Sequence, residues 1–185
     1  MPPQLLLNST PVLDKGYVAL VDSMNGTHKF QELRDSFGST TIAKLEKLTS
    51  ATIIFRCPTW IQLRLSLYPL TIVGVDSRPV EAYIPNPGEI GSPDRLTNES
   101  ISDDMERTTA AMLINPKSYK ADGCDPFVSQ VMTPMNVYTT LLVSGTLPQW
   151  REFTAKGTVP LPAPIEAYRK AVEQIITVEW PHGTK

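Results

Sequence analysis

The chain has 185 residues, enough to bury one core and too few for two independent ones, so one domain is expected over 1–185. Hydrophobic residues make up 41% and charged residues 19%, and 17 Lys and Arg scattered among 19 Asp and Glu leave a formal net charge of −2. That balance argues against a duplex nucleic-acid binder, whose affinity draws on clustered Lys and Arg that neutralise phosphates.

The opening Met-Pro-Pro-Gln-Leu-Leu-Leu-Asn has neither a basic n-region nor an apolar h-region of signal-peptide length, and no apolar run approaches the roughly 20 residues of a membrane helix. A cytoplasmic protein without membrane association is the expectation. Sequons at Asn8, Asn25 and Asn98 are then chance matches to a short pattern. Cys57 and Cys124 stand far apart without companion ligands and read as two reduced, packed thiols, not a disulfide or a metal site.

In chain order, residues 1–11 read as an N-terminal extension, and Tyr17-Val-Ala-Leu-Val-Asp-Ser-Met24 as a strand ending at the turn pair Asn25-Gly26. A helix follows, capped by Thr27, with Phe30, Leu33 and Phe37 on one face and Gly38 as its stop. A second helix over 41–48 carries Ile42, Leu45 and Leu48. Ala51-Thr-Ile-Ile-Phe-Arg-Cys57 is β-branched and aromatic, hence a strand, and Pro58 suits the first turn of a helix reaching about Leu67. Prolines clustered over 85–93 and 160–164 predict two irregular loops. Between them, Asn98 or Ser100 caps a helix to about Leu113 with Ile101, Met105, Met112 and Leu113 inward and Asp103, Asp104, Glu106 and Arg107 outward. Residues 126–132 read as a helix, and 137–143 as a strand or another buried segment. Thr146-Leu-Pro-Gln149 has the form of a capping box and opens a helix through Trp150 and Phe153 to Gly157. Ile165, Tyr168, Val172, Ile175 and Ile176 define a last amphipathic helix before a tail at 177–185. Intermixed helices and strands give a mixed α/β (α+β) class. Trp60, Trp150 and Trp180 are core candidates first and interface candidates second.

Several segments resemble, in order, those of the flavin-dependent thymidylate synthases, the ThyX family. Val12-Leu-Asp-Lys-Gly-Tyr-Val-Ala-Leu-Val-Asp-Ser-Met24 is similar to the opening Leu-Asp-x-Gly-Phe-Val-x-Leu-Val-Asp-x-Met-Gly of that family. Leu33-Arg-Asp-Ser-Phe37 resembles its Ala-Arg-Val-Ser-Phe/Tyr segment, and Ile54-Phe-Arg-Cys-Pro58 with Trp60-Ile61 its strand running into an apolar helix at a proline. Glu81-Ala-Tyr-Ile-Pro85, Thr133-Pro-Met-Asn-Val-Tyr-Thr139 and Ala163-Pro-Ile-Glu-Ala-Tyr-Arg169 resemble its Glu-Phe-Tyr-x-Pro, Leu-Pro-x-x-x-Tyr-Thr and Ala-Gln-x-Glu-Ile-Arg elements. The resemblance spans Val12 to about Ile176 and implies a sheet flanked by helices, and a homotetramer with flavin and nucleotide between subunits.

The polar signature of that family is altered here. Its Arg-His-Arg, followed by seven residues and Ser, corresponds to Leu67-Tyr68-Pro69, then Leu70 to Asp76, then Ser77, so the spacing is kept without the basic residues. Ser77-Arg78 resembles the nucleotide loop Ser-x-Arg-Tyr with one residue missing and Pro79 in place of Tyr. The His-Gly-His and Pro-Phe-Glu-His region has no counterpart between Lys47 and Ala51. The arginine before the Leu-Pro element is Gln130, and the late pyrimidine-facing arginine has Lys156 as its nearest stand-in. An Arg→Gln change removes a charge and a bidentate fork. Arg64, four residues after Trp60, either points at the family's nucleotide cleft or is an ordinary exposed charge.

The nucleotide-binding set the resemblance implies is therefore Arg64, Ser77, Arg78, Gln130 and Lys156. No nucleophile, base or metal ligands can be assembled, since His28 and His182 are isolated and Ser77 has no base. The expectation is a ThyX-like protein degenerate at the flavin and nucleotide site, without cofactor, acting as a non-catalytic binding or assembly homologue. It would be a homo-oligomer or the partner of a paralogous ThyX-like chain, with a pyrimidine deoxynucleotide as its conceivable ligand. The alternative is an active flavin- and folate-dependent C5-methyltransferase that holds FAD. Fold alone does not decide between them.

Overall fold

Strand β3 (Ser50–Pro58), whose Thr52-Ile-Ile-Phe55 run is β-branched and aromatic, is the middle of a five-stranded antiparallel sheet. The other strands are β1 (Thr10–Val12), β2 (Gly16–Met24), β4 (Thr71–Asp76) and β5 (Tyr138–Thr146), in the order β1-β2-β3-β5-β4. The computed structural model describes residues 9–24, 32, 36, 39–76, 81–90, 93–121, 134–155 and 161–180, with backbone alone for 39–43, 76 and 115–121.

Alternation of side chains across the pleat sends Ile53, Phe55 and Cys57 to one face. Cross-strand pairing extends them into apolar rows: Val18, Phe55 and Leu141, and beside it Leu20, Ile53, Val143 and Ile72. Two helices cover that face. Helix α5 (Leu147–Thr154) presents Trp150 and Phe153, and helix α6 (Ala163–Glu179) presents Ile165, Tyr168, Val172 and Ile176. Phe55 lies between the rings of Trp150 and Tyr168, with centroids 6.3 and 6.2 Å away. Each such side chain stabilises the fold by about 1.5–3 kcal/mol on burial.

Local chemistry sets the helix boundaries. The Thr146 N–H donates to Gln149 Oε1 at 2.7 Å, as the capping-box spacing predicts, and Gln149 Nε2 reaches the Pro69 carbonyl. Helix α1 spans Ser39–Leu48, and helix α2 (Thr59–Leu65) follows β3 directly. Pro58 is the last strand residue, extended at φ −56° and ψ 145°, and not the first residue of the helical turn. The short helix α3 (Pro87–Ile90) lies within the proline-rich stretch read as irregular, and Pro164 falls in the first turn of α6, where a missing N–H costs nothing.

Helix α4 (Arg95–Ala121) starts earlier and runs further than the sequence suggests. Its cap is Asp94, whose carboxylate accepts from the N–H groups of Leu96 and Thr97 at 3.3 and 3.0 Å; Asn98 is a buried residue of the helix. The charged face reads correctly and the apolar one in part: Met105 and Leu113 are half-buried but Ile101 and Met112 are exposed, and hydrogen bonds that hold the helix involve buried Thr109 and half-buried Ser102.

The remaining expectations are borne out in some places and corrected in others. Trp150 and Trp180 are fully buried, Trp60 is half-buried, and Leu48, taken for an apolar-face residue, is exposed. Residues 138–146 are a strand, edge strand β4 was not foreseen, and Thr10 and Pro11 belong to the sheet through β1. The expected helix and turn over 25–38, apart from helical Glu32 and Ser36, and the expected helix over 126–132 lie outside the described residues, as do Gly157, Cys124, His28 and His182. Among the described residues no helix is long and apolar enough to cross a membrane.

Candidate functional site

Polar residues from five of the sequence landmarks meet where β2, β3 and β5 begin or end, although 124 positions separate Asp14 from Tyr138 alone. The turn after β1 supplies Asp14, which accepts the Tyr138 phenol proton at 2.5 Å. Arg56 on β3 is ion-paired with Glu81, and its guanidinium lies 5.6 Å from the centre of the Tyr138 ring. From α6, the Tyr168 hydroxyl donates to the Arg56 carbonyl at 2.6 Å. The 81–83 segment is clamped to the start of β5, since Tyr138 N–H donates to Glu81 O and Tyr83 N–H to Asn136 O, both at 2.8 Å.

The electrostatics of this cluster favour neutral phenols. Burial pushes the Tyr138 phenol far up, and its hydrogen bond to the Asp14 carboxylate adds to that. Burial likewise raises Tyr168 and Tyr83, with the Glu89 carboxylate a further cause at Tyr83, and it raises the Cys57 thiol. Tyr138 and Tyr168 donate hydrogen bonds, and none of the four groups acts as a base or nucleophile near neutral pH. The pairings of Tyr138 with Asp14, Arg56 with Glu81 and Tyr168 with the Arg56 carbonyl tie strands and helix together, while the buried Tyr83 hydroxyl has no hydrogen-bond partner among the described residues.

A second feature lies on the other side of Tyr168. A cleft between α2, α5 and α6 holds about 50 Å³ of space, floored by Ile61, Leu65, Tyr68, Phe153 and Ile165. Leu67 and Leu161 stand at it too, and Arg64 is its one charged residue. Tyr68 packs edge-on against Phe153 with centroids 5.2 Å apart, closing the inner end. Sites for drug-sized ligands occupy roughly 300–1,000 Å³, so this cleft takes a side chain or a few atoms and not a nucleotide.

Of the residues expected to hold a nucleotide, Arg64 is the one the structure describes; it is exposed, on α2, at this cleft. Ser77, Arg78, Gln130 and Lys156 lie outside the described residues. Sequence reasoning did not single out Asp14, Arg56, Glu81 and Tyr138 as a set. The available signal was that each is a polar residue inside a motif otherwise apolar or turn-forming. Among the described residues no three His, Cys, Asp or Glu side chains are grouped to hold a metal ion. No protein-family model matches the chain, and no curated protein matches it.

Proposed function

We propose that this chain is a ThyX-like protein that has kept a scaffold and lost the flavin and nucleotide site, and that it serves as a non-catalytic binding or assembly homologue. The observation that carries the reading is the composition of the cleft at α2. By the resemblance, Leu67, Tyr68 and Pro69 stand where the family has Arg-His-Arg, and here Leu67 and Tyr68 line an apolar space of about 50 Å³ with Arg64 as its single cation. A flavin and a nucleotide phosphate call for several fixed donors in a larger space, so the residues present do not fit them.

The Asp14, Arg56, Glu81 and Tyr138 cluster supports the same reading. Its side chains are committed to one another and to the backbone, a use that preserves architecture without chemistry. The test is the visible absorption spectrum of the purified protein before and after addition of FAD, with a calorimetric titration of dUMP alongside. A colourless protein that takes up no FAD is expected. A stoichiometric flavin spectrum overturns the proposal in favour of an active flavin- and folate-dependent pyrimidine C5-methyltransferase.

A further inference from the structure

The α2 cleft and the outer surface of α4 are complementary. By the same measure that gives a buried water about 10–15 Å³, 50 Å³ holds roughly four water-sized groups, the four carbons of one leucine side chain. Leu63 on α2, and Leu67 just after the helix and at the cleft, are exposed and add apolar surface on this stretch. Arg64 gives it a positive charge with no acid among the lining residues.

Helix α4 carries the counterpart. Leu96 is 73% exposed, and Glu99 and Asp103 follow it at three- and four-residue steps, which places one leucine and two carboxylates along one stripe of the helix. Glu99 is held by Arg95 in an exposed pair at 2.8 Å, and such pairs exchange readily. Among the described residues neither Arg64 nor Asp103 has an ion-pair partner. Among the described residues, an exposed leucine beside unpaired Asp103 and surface-paired Glu99, and a leucine-sized cleft beside unpaired Arg64, thus occur on the same chain.

We infer that a second copy of this chain is the occupant: Leu96 of one copy enters the α2 cleft of the other, and Asp103 and Glu99 face its Arg64. The contact is heterologous in its parts, and made twice about a two-fold axis it closes a dimer. The small net charge of −2 leaves little long-range repulsion between copies. The inference deepens the assembly reading above and rests on it.

Sedimentation velocity of the full chain tests the contact, with far-UV circular dichroism confirming that each variant folds. The wild type is expected to self-associate. Arg64→Glu and Leu96→Asp, both surface changes, each weaken association at least about tenfold, because a rim charge reversal sets like charges face to face and an aspartate cannot fill an apolar cleft. Arg64→Glu combined with Asp103→Arg restores association. A monomeric wild type, association indifferent to the single variants, or a charge swap that restores nothing overturns the inference. The FAD spectrum is a separate readout, so a flavin-free protein that ignores the swap rejects this contact alone, and flavin uptake rejects the reading it rests on.

Discussion

Gly16 lies directly beneath the hydroxyl of Tyr168: a Cβ at Gly16 would stand 2.0 Å from Tyr168 Oη, 2.5 Å from the Val12 carbonyl oxygen and 2.9 Å from that of Arg56. Two of the three obstacles are backbone, so the strands themselves would have to part. Gly16→Ala is expected to destabilise the protein by about 1–3 kcal/mol through overpacking. Tyr168→Phe removes one obstacle along with the hydrogen bond to the Arg56 carbonyl, itself worth about 1 kcal/mol. In a double-mutant cycle by urea denaturation, Gly16→Ala then costs less in the Tyr168→Phe background than in the wild type. Strict additivity would contradict the contact.

Arg169 illustrates a charge whose work is internal. Its side chain is 2% exposed; Nε and Nη2 donate to the two Glu166 oxygens at 2.7 Å each, and Nη1 donates to the Thr154 carbonyl and to Glu173. That fork joins the end of α5 to the first turns of α6. Lysine has one ammonium and cannot bridge both, so Arg169→Lys is expected to cost about 1–3 kcal/mol, most of it from the Thr154 carbonyl left without its donor. The measurement is the denaturant midpoint. A midpoint unchanged from wild type would mean that the fork contributes nothing to holding α5 against α6.

How far the sequence leads depends on where the deciding interaction lies. β3 and α5 were legible because their signals are local: a β-branched run at 51–57 and a capping box at 146–149 whose partners lie within a few residues. α6 was legible from its periodicity, but Arg169 was not expected inside, because only the distant Thr154 carbonyl and the acids of its own helix make burial tolerable. α4 was misjudged for the converse reason. Its apolar residues suggested an inward face, whereas the residues buried, Asn98 and Thr109, are polar, and Thr109 and Ser102 tie it by hydrogen bonds to Asn136 and to the Pro85 carbonyl. β4 is an edge strand with Val73 and Val75 exposed, so it lacks the alternation by which strands are recognised. At the candidate site, Arg64 was named from sequence, but the cleft beside it was not. Tyr68, Phe153 and Ile165 come from three separate stretches and become a cleft only once α2, α5 and α6 are packed.

Stability is expected to fall on the alkaline side, and the sign follows from the buried acids. The folded chain holds the protons of Cys57, Tyr138 and Tyr168 more tightly than usual, chiefly through burial and at Tyr138 also through Asp14. In the unfolded chain these groups ionise near their ordinary values, about 8.5 for a thiol and about 10 for a phenol. Above those values the unfolded state binds fewer protons than the folded one, so unfolding becomes more favourable as pH rises. The stabilisation is therefore complete below about pH 8.5 and declines beyond it, more steeply past about 10 where the phenols contribute. Guanidinium denaturation midpoints measured from neutral pH upward should show this fall. Tyr138→Phe separates the cause from general charge repulsion: it lowers stability at neutral pH, because the bond to Asp14 is lost, while flattening the alkaline decline. A variant that starts lower but falls as steeply as the wild type would exclude Tyr138 as a source of the alkaline sensitivity and leave Cys57, Tyr83 and Tyr168 to account for it.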